Sequence, residues 1–255
     1  MIAIPDASGL SCGPGGAVVG DPLSGAATSA PRHVPKRRLA GDSERVIPRR
    51  RMVERLAVDV PDARVLDALR AVPRHRLVPE ALAGRAYAER AALPIGEGQT
   101  ISAPAVVAAM TAALTLSGHE QVLEIGTGSG YQAAVLSRLA SRVVSIERVP
   151  RLAARARSAL DALGVTNVVV YLGDGTAGRP ADAPFDAIVV TAGGPEVPPP
   201  LLAQLAPGGR LVGPFGSRDE QQLIRVTRAA SGAFTREVLG RCRFVDLVGS
   251  HGWIA

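Results

Sequence analysis

The chain has 255 residues, of which 47% are hydrophobic and 20% charged. That balance supports a sizeable core and excludes global disorder and collagen-like structure. Two cysteines, Cys12 and Cys242, cannot build a disulfide scaffold or a cysteine-based zinc site, and no metal-ligating cluster stands out. No apolar run approaches the roughly 18 residues of a membrane span, and a reducing cytoplasm is the expected compartment. The formal charge of +6 is concentrated at one end. Residues 1–51 hold eight of the 29 Lys and Arg but four of the 23 Asp and Glu, with Lys36, Arg37, Arg38 and Arg49 to Arg51 prominent. The rest is close to neutral, which argues against nucleic acid or membrane as a partner of the folded part.

Residues 1–45 are rich in Gly, Ala, Pro and Ser without a sustained period, and read as a disordered tail. They lack the basic start and long apolar stretch of a secretory signal, and an alternative start lies near Met52. Residues 46–116 read as a helical cap. Two or three short helices are expected, punctuated by Pro61, Pro73 and Pro79, with Val65, Leu66 and Leu69 on one face and Asp62 as a cap. Residues 102–116 read as a buried helix with Ser102 at its N-cap and Pro104 in its first turn.

From residue 117 the rhythm changes. Apolar runs at 121–126, 142–147, 167–175, 185–193 and 210–216 read as strands, separated by helices at 131–139, 150–163 and 201–205. Continuous apolar strands alternating with helices predict a parallel sheet covered on both faces. Runs at 221–229 and 234–248 have no helix between them, so they predict a closing hairpin.

The first strand ends in Gly126-Thr127-Gly128-Ser129-Gly130-Tyr131. Glycines there allow a tight turn and close approach of a ligand to the main chain. The spacing is not the dinucleotide pattern, because Tyr131 stands where a third glycine would fall. Glu147 ends the second strand, 21 residues after Gly126, where an acid can accept both hydroxyls of a ribose. The third strand ends in Gly173-Asp174-Gly175, where an acid can meet an exocyclic amine of adenine. Three such features at successive strand ends mark the ligand-binding edge of an open α/β sheet. No Walker lysine is present, so a nucleotide triphosphatase is excluded.

The stretch VLEIGTGSGYQAAVL (122–136) resembles the cofactor loop of class I S-adenosylmethionine-dependent methyltransferases. VPRHRLVPE (72–80), AYAER (86–90), LPIGEGQTIS (93–102) and residues 185–216 resemble the protein-L-isoaspartate O-methyltransferase family. GQTIS is the specific element, since methyltransferases in general do not share it. The resemblance covers about residues 50–250. It implies an α/β fold: a Rossmann-like, doubly wound, mostly parallel sheet with an N-terminal helical cap (46–116), an S-adenosyl-L-methionine-binding domain (117–255) and a C-terminal antiparallel hairpin. The implied reaction is methylation of the free α-carboxyl group of L-isoaspartyl residues in damaged proteins and peptides. The ester then cyclises to a succinimide.

Carried over residue by residue, Gly126, Thr127, Gly128, Ser129 and Gly130 would cradle the cofactor. Glu147 would hold the ribose, and Asp174 with Gly175 would face the adenine. Ser102 would contact the substrate carboxyl group as the catalytic residue, Thr100 and Ile101 would shape its pocket, and Val245 and Leu247 would hold the substrate backbone. Two departures stand out. Ala103 replaces a polar residue, and Asp246 replaces a proline in the stretch Cys242-Arg243-Phe244-Val245-Asp246-Leu247. The expected partner is an isoaspartyl protein or peptide, met by a cytoplasmic monomer. The alternatives are a methyltransferase of another substrate and a non-catalytic cofactor-binding adaptor.

An α-carboxyl group has an unperturbed pKa of about 3.3–3.7 and is already ionised at neutral pH, so no general base is needed. His33, His75, His119 and His251 accordingly read as structural or exposed. Arg74, Arg76, Arg85 and Arg90 read as a solvated helical face, Cys242 as a small core residue, and Trp253 as packing for the terminus.

Overall fold

Helix α1 (Val46–Asp59) buries Met52, Val53 and Leu56. The computed structural model describes Ser43 and residues 45–254; the expected tail, with Cys12, His33 and the basic group at 36–38, lies outside them. Asp62 starts α2 (Ala63–Ala71), its carboxylate accepting from Arg64 N at 3.0 Å and Val65 N at 3.2 Å. Val65, Leu66 and Leu69 are buried, as their spacing predicts. Prolines 73 and 79 break the helical path into short 3-10 segments at Arg74–Leu77 and Glu80–Arg85. An antiparallel ribbon, β1 (Leu93–Gly96) and β2 (Gln99–Ile101), leads into α3 (Pro104–Ala113).

Helix α3 starts later than the sequence predicts. Its N-cap is Ala103, which makes no side-chain capping bond, and Pro104 is its first residue. A residue before proline is pushed out of the helical region, and Ala103 sits at φ −56°, ψ 142°. Ser102 is therefore one residue outside the cap position, and the expected capping role is corrected.

The main sheet contains β3 (Gln121–Ile125), β4 (Arg142–Glu147), β5 (Val168–Leu172), β6 (Phe185–Val190), β7 (Leu205–Gly216), β8 (Gln221–Arg228) and β9 (Phe234–Cys242). Their spatial order is β5-β4-β3-β6-β7-β8-β9. The first five in that order are parallel, and β8 and β9 close the sheet as antiparallel strands. Helices α4 (Tyr131–Leu136), α5 (Pro150–Leu163) and α6 (Pro199–Ala203) cover the faces. Alternation along the strands does the sorting. Val122, Ala187 and Val189 join the layer containing the cap, α4 and α5, while Leu123, Ile125, Ile188 and Val190 join the layer with Leu201 of α6 and Phe215. Met52, Leu69 and Leu93 share one cluster with Val122 and Leu136, so the cap and the sheet have a common core.

The last strand is shorter than expected. Buried Gln221 accepts a hydrogen bond from Phe244 N at 2.8 Å, taking the place of a ladder partner. The chain then crosses to the end of β6, where Gly193 N donates to Val245 O at 2.7 Å and Leu247 N donates to Gly193 O at 2.8 Å. Strands run outward from β3 to β4 and β5 on one side and to β6 on the other. The carboxyl ends of β3 and β6 therefore flank the crevice at the switch point, where such sheets bind ligands.

Candidate active site

The loop after β3 turns on glycines with φ of +95° at Gly126, +54° at Gly128 and +83° at Gly130. At Gly126 the space is closed as well, since a Cβ would lie 2.5 Å from Thr191 Oγ1. That hydroxyl lies 2.9 Å from Ile125 O and 2.6 Å from Gly126 O and ties the loop to the end of β6. Glu147 ends β4 nearly buried. Its Oε2 accepts from Gly128 N at 2.8 Å and its Oε1 from Val149 N at 2.9 Å. Each oxygen keeps acceptor capacity for one more donor, and the two backbone bonds fix the carboxylate's orientation.

Gly126, Gly128, Glu147 and Gly175 line a cavity at this edge. Thr100, Val245 and Leu247 line the same cavity. The crevice thus brings together the main expected cofactor and substrate segments.

Several expected residues also make contacts away from this cavity. Thr127 points inward, hydroxyl to hydroxyl with Ser145. Gly130 starts α4 and packs against Leu160, whose Cγ a Cβ would meet at 3.4 Å. Ser129 lines a separate cleft with Arg155 and Ser158. Asp174 makes protein contacts of its own. Its Oδ1 accepts from Thr176 N at 2.9 Å and Thr176 Oγ1 at 2.7 Å, and its Oδ2 from Ser250 N at 2.7 Å and Ser250 Oγ at 2.8 Å. These bonds fasten the C-terminal turn at Ser250 to the turn after β5.

Ile101 is buried and supports the site through the core. Ser102 follows β2 half-buried, and its hydroxyl makes no hydrogen bond among the described residues. The same segment contributes Gln99 and Thr100 to the cavity wall. Thr191 was not singled out by its sequence context, although it follows an apolar strand at the switch point. Arg74 is a second correction. It is fully buried, with Nε donating to Ala86 O at 2.8 Å and its guanidinium carbon 4.6 Å from the Tyr131 ring centroid. The cap thereby grips the first residue of α4. Arg76, Arg85 and Arg90 are exposed.

Residues 49–252 match the family model described as protein-L-isoaspartate(D-aspartate) O-methyltransferase. The match runs from α1 to the C-terminal turn, through both walls of the crevice.

The chain belongs to the protein-L-isoaspartate O-methyltransferase family.

Its relatives include protein-L-isoaspartate O-methyltransferase 2 of Geotalea uraniireducens, 55% identical over 209 residues, which span 81% of this chain and 96% of that protein. Protein-L-isoaspartate O-methyltransferase 1 of Syntrophobacter fumaroxidans is 56% identical over 80% of this chain and 96% of its own. A solved protein-L-isoaspartate O-methyltransferase structure superposes with a TM-score of 0.72 at 28% identity, covering 80% of this chain and 67% of that one. A Plasmodium falciparum structure in complex with S-adenosyl-L-homocysteine shares the fold, with a TM-score of 0.68 at 21% identity over 78% of this chain and 98% of that one.

Beneath the glycine loop of this methyltransferase lies a fully buried acid. Glu124 accepts a hydrogen bond from Ser145 Oγ, which also meets Thr127. Burial pushes Glu124 up to about 8, against the Ser145 hydrogen bond and with the help of nearby Glu147. The folded state therefore holds a proton that the unfolded state releases at about 4.3. Stability contributed by this group falls as pH rises between those two values and is level above the upper one. Replacing Glu124 with Gln should remove that slope. Thermal melts across pH should show the variant gaining about 4 °C or more over the wild type at pH 8 relative to pH 5. Parallel profiles would mean Glu124 is ionised in the fold.

Proposed function

We propose that this chain methylates the free α-carboxyl group of L-isoaspartyl residues in proteins and peptides, using S-adenosyl-L-methionine and so starting their repair through a succinimide. The observation that carries this reading is the family match across the whole crevice, the GQTIS segment as well as the glycine loop. The residues present fit the cofactor. Gly126 and Gly175 line the cavity with bare main chain, and packing excludes a side chain at either, since a Cβ would lie 2.5 Å from Thr191 Oγ1 or from Ile125 Cγ2. Glu147 keeps acceptor capacity for ribose hydroxyls. Bound S-adenosylmethionine supplies a methyl group on a sulfonium centre.

The chain's own task is to hold and desolvate a nucleophile that is already ionised. No histidine is needed as a base. His75 Nδ1 is 2.8 Å from Tyr87 OH within the cap, and His119 and His251 are exposed. Ser102 has a donor to spare for one carboxylate oxygen, leaving the other to attack the methyl group. A neutral hydroxyl does this without quenching the nucleophile as a cation would. In this reading Thr100, Val245 and Leu247, which line the cavity, face the carboxylate. In this reading residues 46–116 carry the substrate side and 117–255 the cofactor side.

We read the working form as a monomer in a reducing compartment, with peptide rather than nucleic acid or membrane as its partner. Edge strand β9 carries Arg236, Glu237 and Arg241, charges that discourage strand pairing. Cys242 is a buried free thiol, which suits a cytoplasmic setting. No helix among the described residues is long and apolar enough to cross a membrane.

The test is methyl transfer from labelled S-adenosylmethionine to one short peptide made in isoaspartyl and aspartyl forms. Label should enter the isoaspartyl form alone. Label in neither, with cofactor binding intact, would leave a cofactor-binding adaptor; equal label in both would mean another substrate.

A further inference from the structure

One wall of the crevice carries a charge that opposes the expected substrate. Asp246 lines the cavity between Val245 and Leu247, and the group to be methylated is itself a carboxylate. The other ionisable side chains lining the cavity are Glu147 and Arg148, so acids outnumber bases there. Arg218, in the turn between β7 and β8, corrects the balance. Its Nε donates to Asp246 Oδ2 at 2.8 Å, and its guanidinium carbon lies 4.6 Å from the Trp253 ring centroid. Trp253 is anchored in turn, with Nε1 donating to Gly193 O at 2.9 Å. Gly193 also holds the backbone of Val245 and Leu247. The segment that borders the substrate side and the cation that neutralises it therefore hang from one glycine.

We propose that Arg218 is a positioning residue for the substrate and acts through Asp246. The inference rests on the functional reading above. Arg218 cancels the Asp246 charge, so that the wall admits a carboxylate. A proline at 246, which the family resemblance leads one to expect, would need no such partner. The aromatic face of Trp253 keeps the half-exposed guanidinium from swinging into solvent.

Charge compensation predicts opposite effects for the two partners. In steady-state kinetics on the isoaspartyl peptide, Arg218→Gln should raise KM roughly three- to tenfold at low ionic strength, as expected for a like charge at the rim. Its kcat should stay within about twofold, because the lost interaction is with bound substrate and transition state alike. Asp246→Asn should lower KM, since it leaves the cation uncancelled. The double variant should return to within about twofold of the wild-type KM, and salt near 1 M should erase most of each difference. A purely structural Arg218 would leave the double variant as impaired as the single one, at all salt concentrations. That result, or an unmoved KM in Arg218→Gln, would overturn the proposal while wild-type activity stands. A wild type that methylates neither peptide would instead overturn the functional reading, and this inference with it.

Discussion

Gly126→Ala should abolish useful cofactor binding while leaving the fold intact. The backbone there sits at φ +95°, and a positive φ costs an L-residue about 1–2 kcal/mol before any contact is counted. The added Cβ would also stand 2.5 Å from Thr191 Oγ1. Thr191 cannot simply yield, because its hydroxyl ties the loop through Ile125 O and Gly126 O. Either the hydroxyl turns away and releases the loop, or the loop moves. Movement would carry Gly128 N away from Glu147 Oε2, now 2.8 Å apart, and so disturb the group that faces the ribose. Calorimetric titration with S-adenosylhomocysteine should show affinity falling about 100-fold or more, near 3 kcal/mol at 1.4 kcal/mol per tenfold. The far-ultraviolet circular dichroism should be unchanged. Gly128→Ala is the internal comparison. Its Cβ would meet only Ile95 Cδ1 at 3.4 Å, and its φ of +54° lies in the left-handed well, so its loss should be smaller. Wild-type affinity in Gly126→Ala would remove this loop from the cofactor site.

The frame of the molecule is legible in the sequence because its signals are physical ones. Strands buried on both faces must be largely apolar, as Ile188 to Val190 are and as Val122 to Ile125 are apart from the buried Glu124, and short polar turns separate them from helices. Gly126, Gly128, Glu147 and Gly175 were legible because strand ends and glycine spacing mark the crevice. Element boundaries were less so. Pro104 delays α3 by acting on its predecessor, and Gln221 ends β9 from 23 residues away. Side-chain direction was the least legible. Asp174 holds Ser250, 76 residues further on. No local pattern encodes that contact. Arg74 fails for the same reason, since a residue charged in a polar stretch reads as solvated until Tyr131 closes over it.

Ser102→Ala should lower kcat/KM for the isoaspartyl peptide by roughly 10- to 100-fold, the loss of one hydrogen bond to a charged group. Because α3 is capped at Ala103 and the Ser102 hydroxyl has no partner among the described residues, removing it should leave Tm within about 1 °C, as for a substitution that breaks no named interaction. The side chain is also outside the wall formed by Gly126, Gly128 and Glu147, so S-adenosylhomocysteine affinity should hold within about twofold, well under the 1.4 kcal/mol that a tenfold change represents. This combination separates Ser102 from Gly126, where affinity fails first. Ser102→Thr keeps a hydroxyl and should recover part of the lost activity, because the donor matters more than the shape around it. Carboxylate ionisation is complete well below neutral pH, so the defect should be the same from about pH 6 to 8. Full turnover in Ser102→Ala would transfer the task to backbone donors that line the cavity, and the free hydroxyl after β2 would have no part in the reaction.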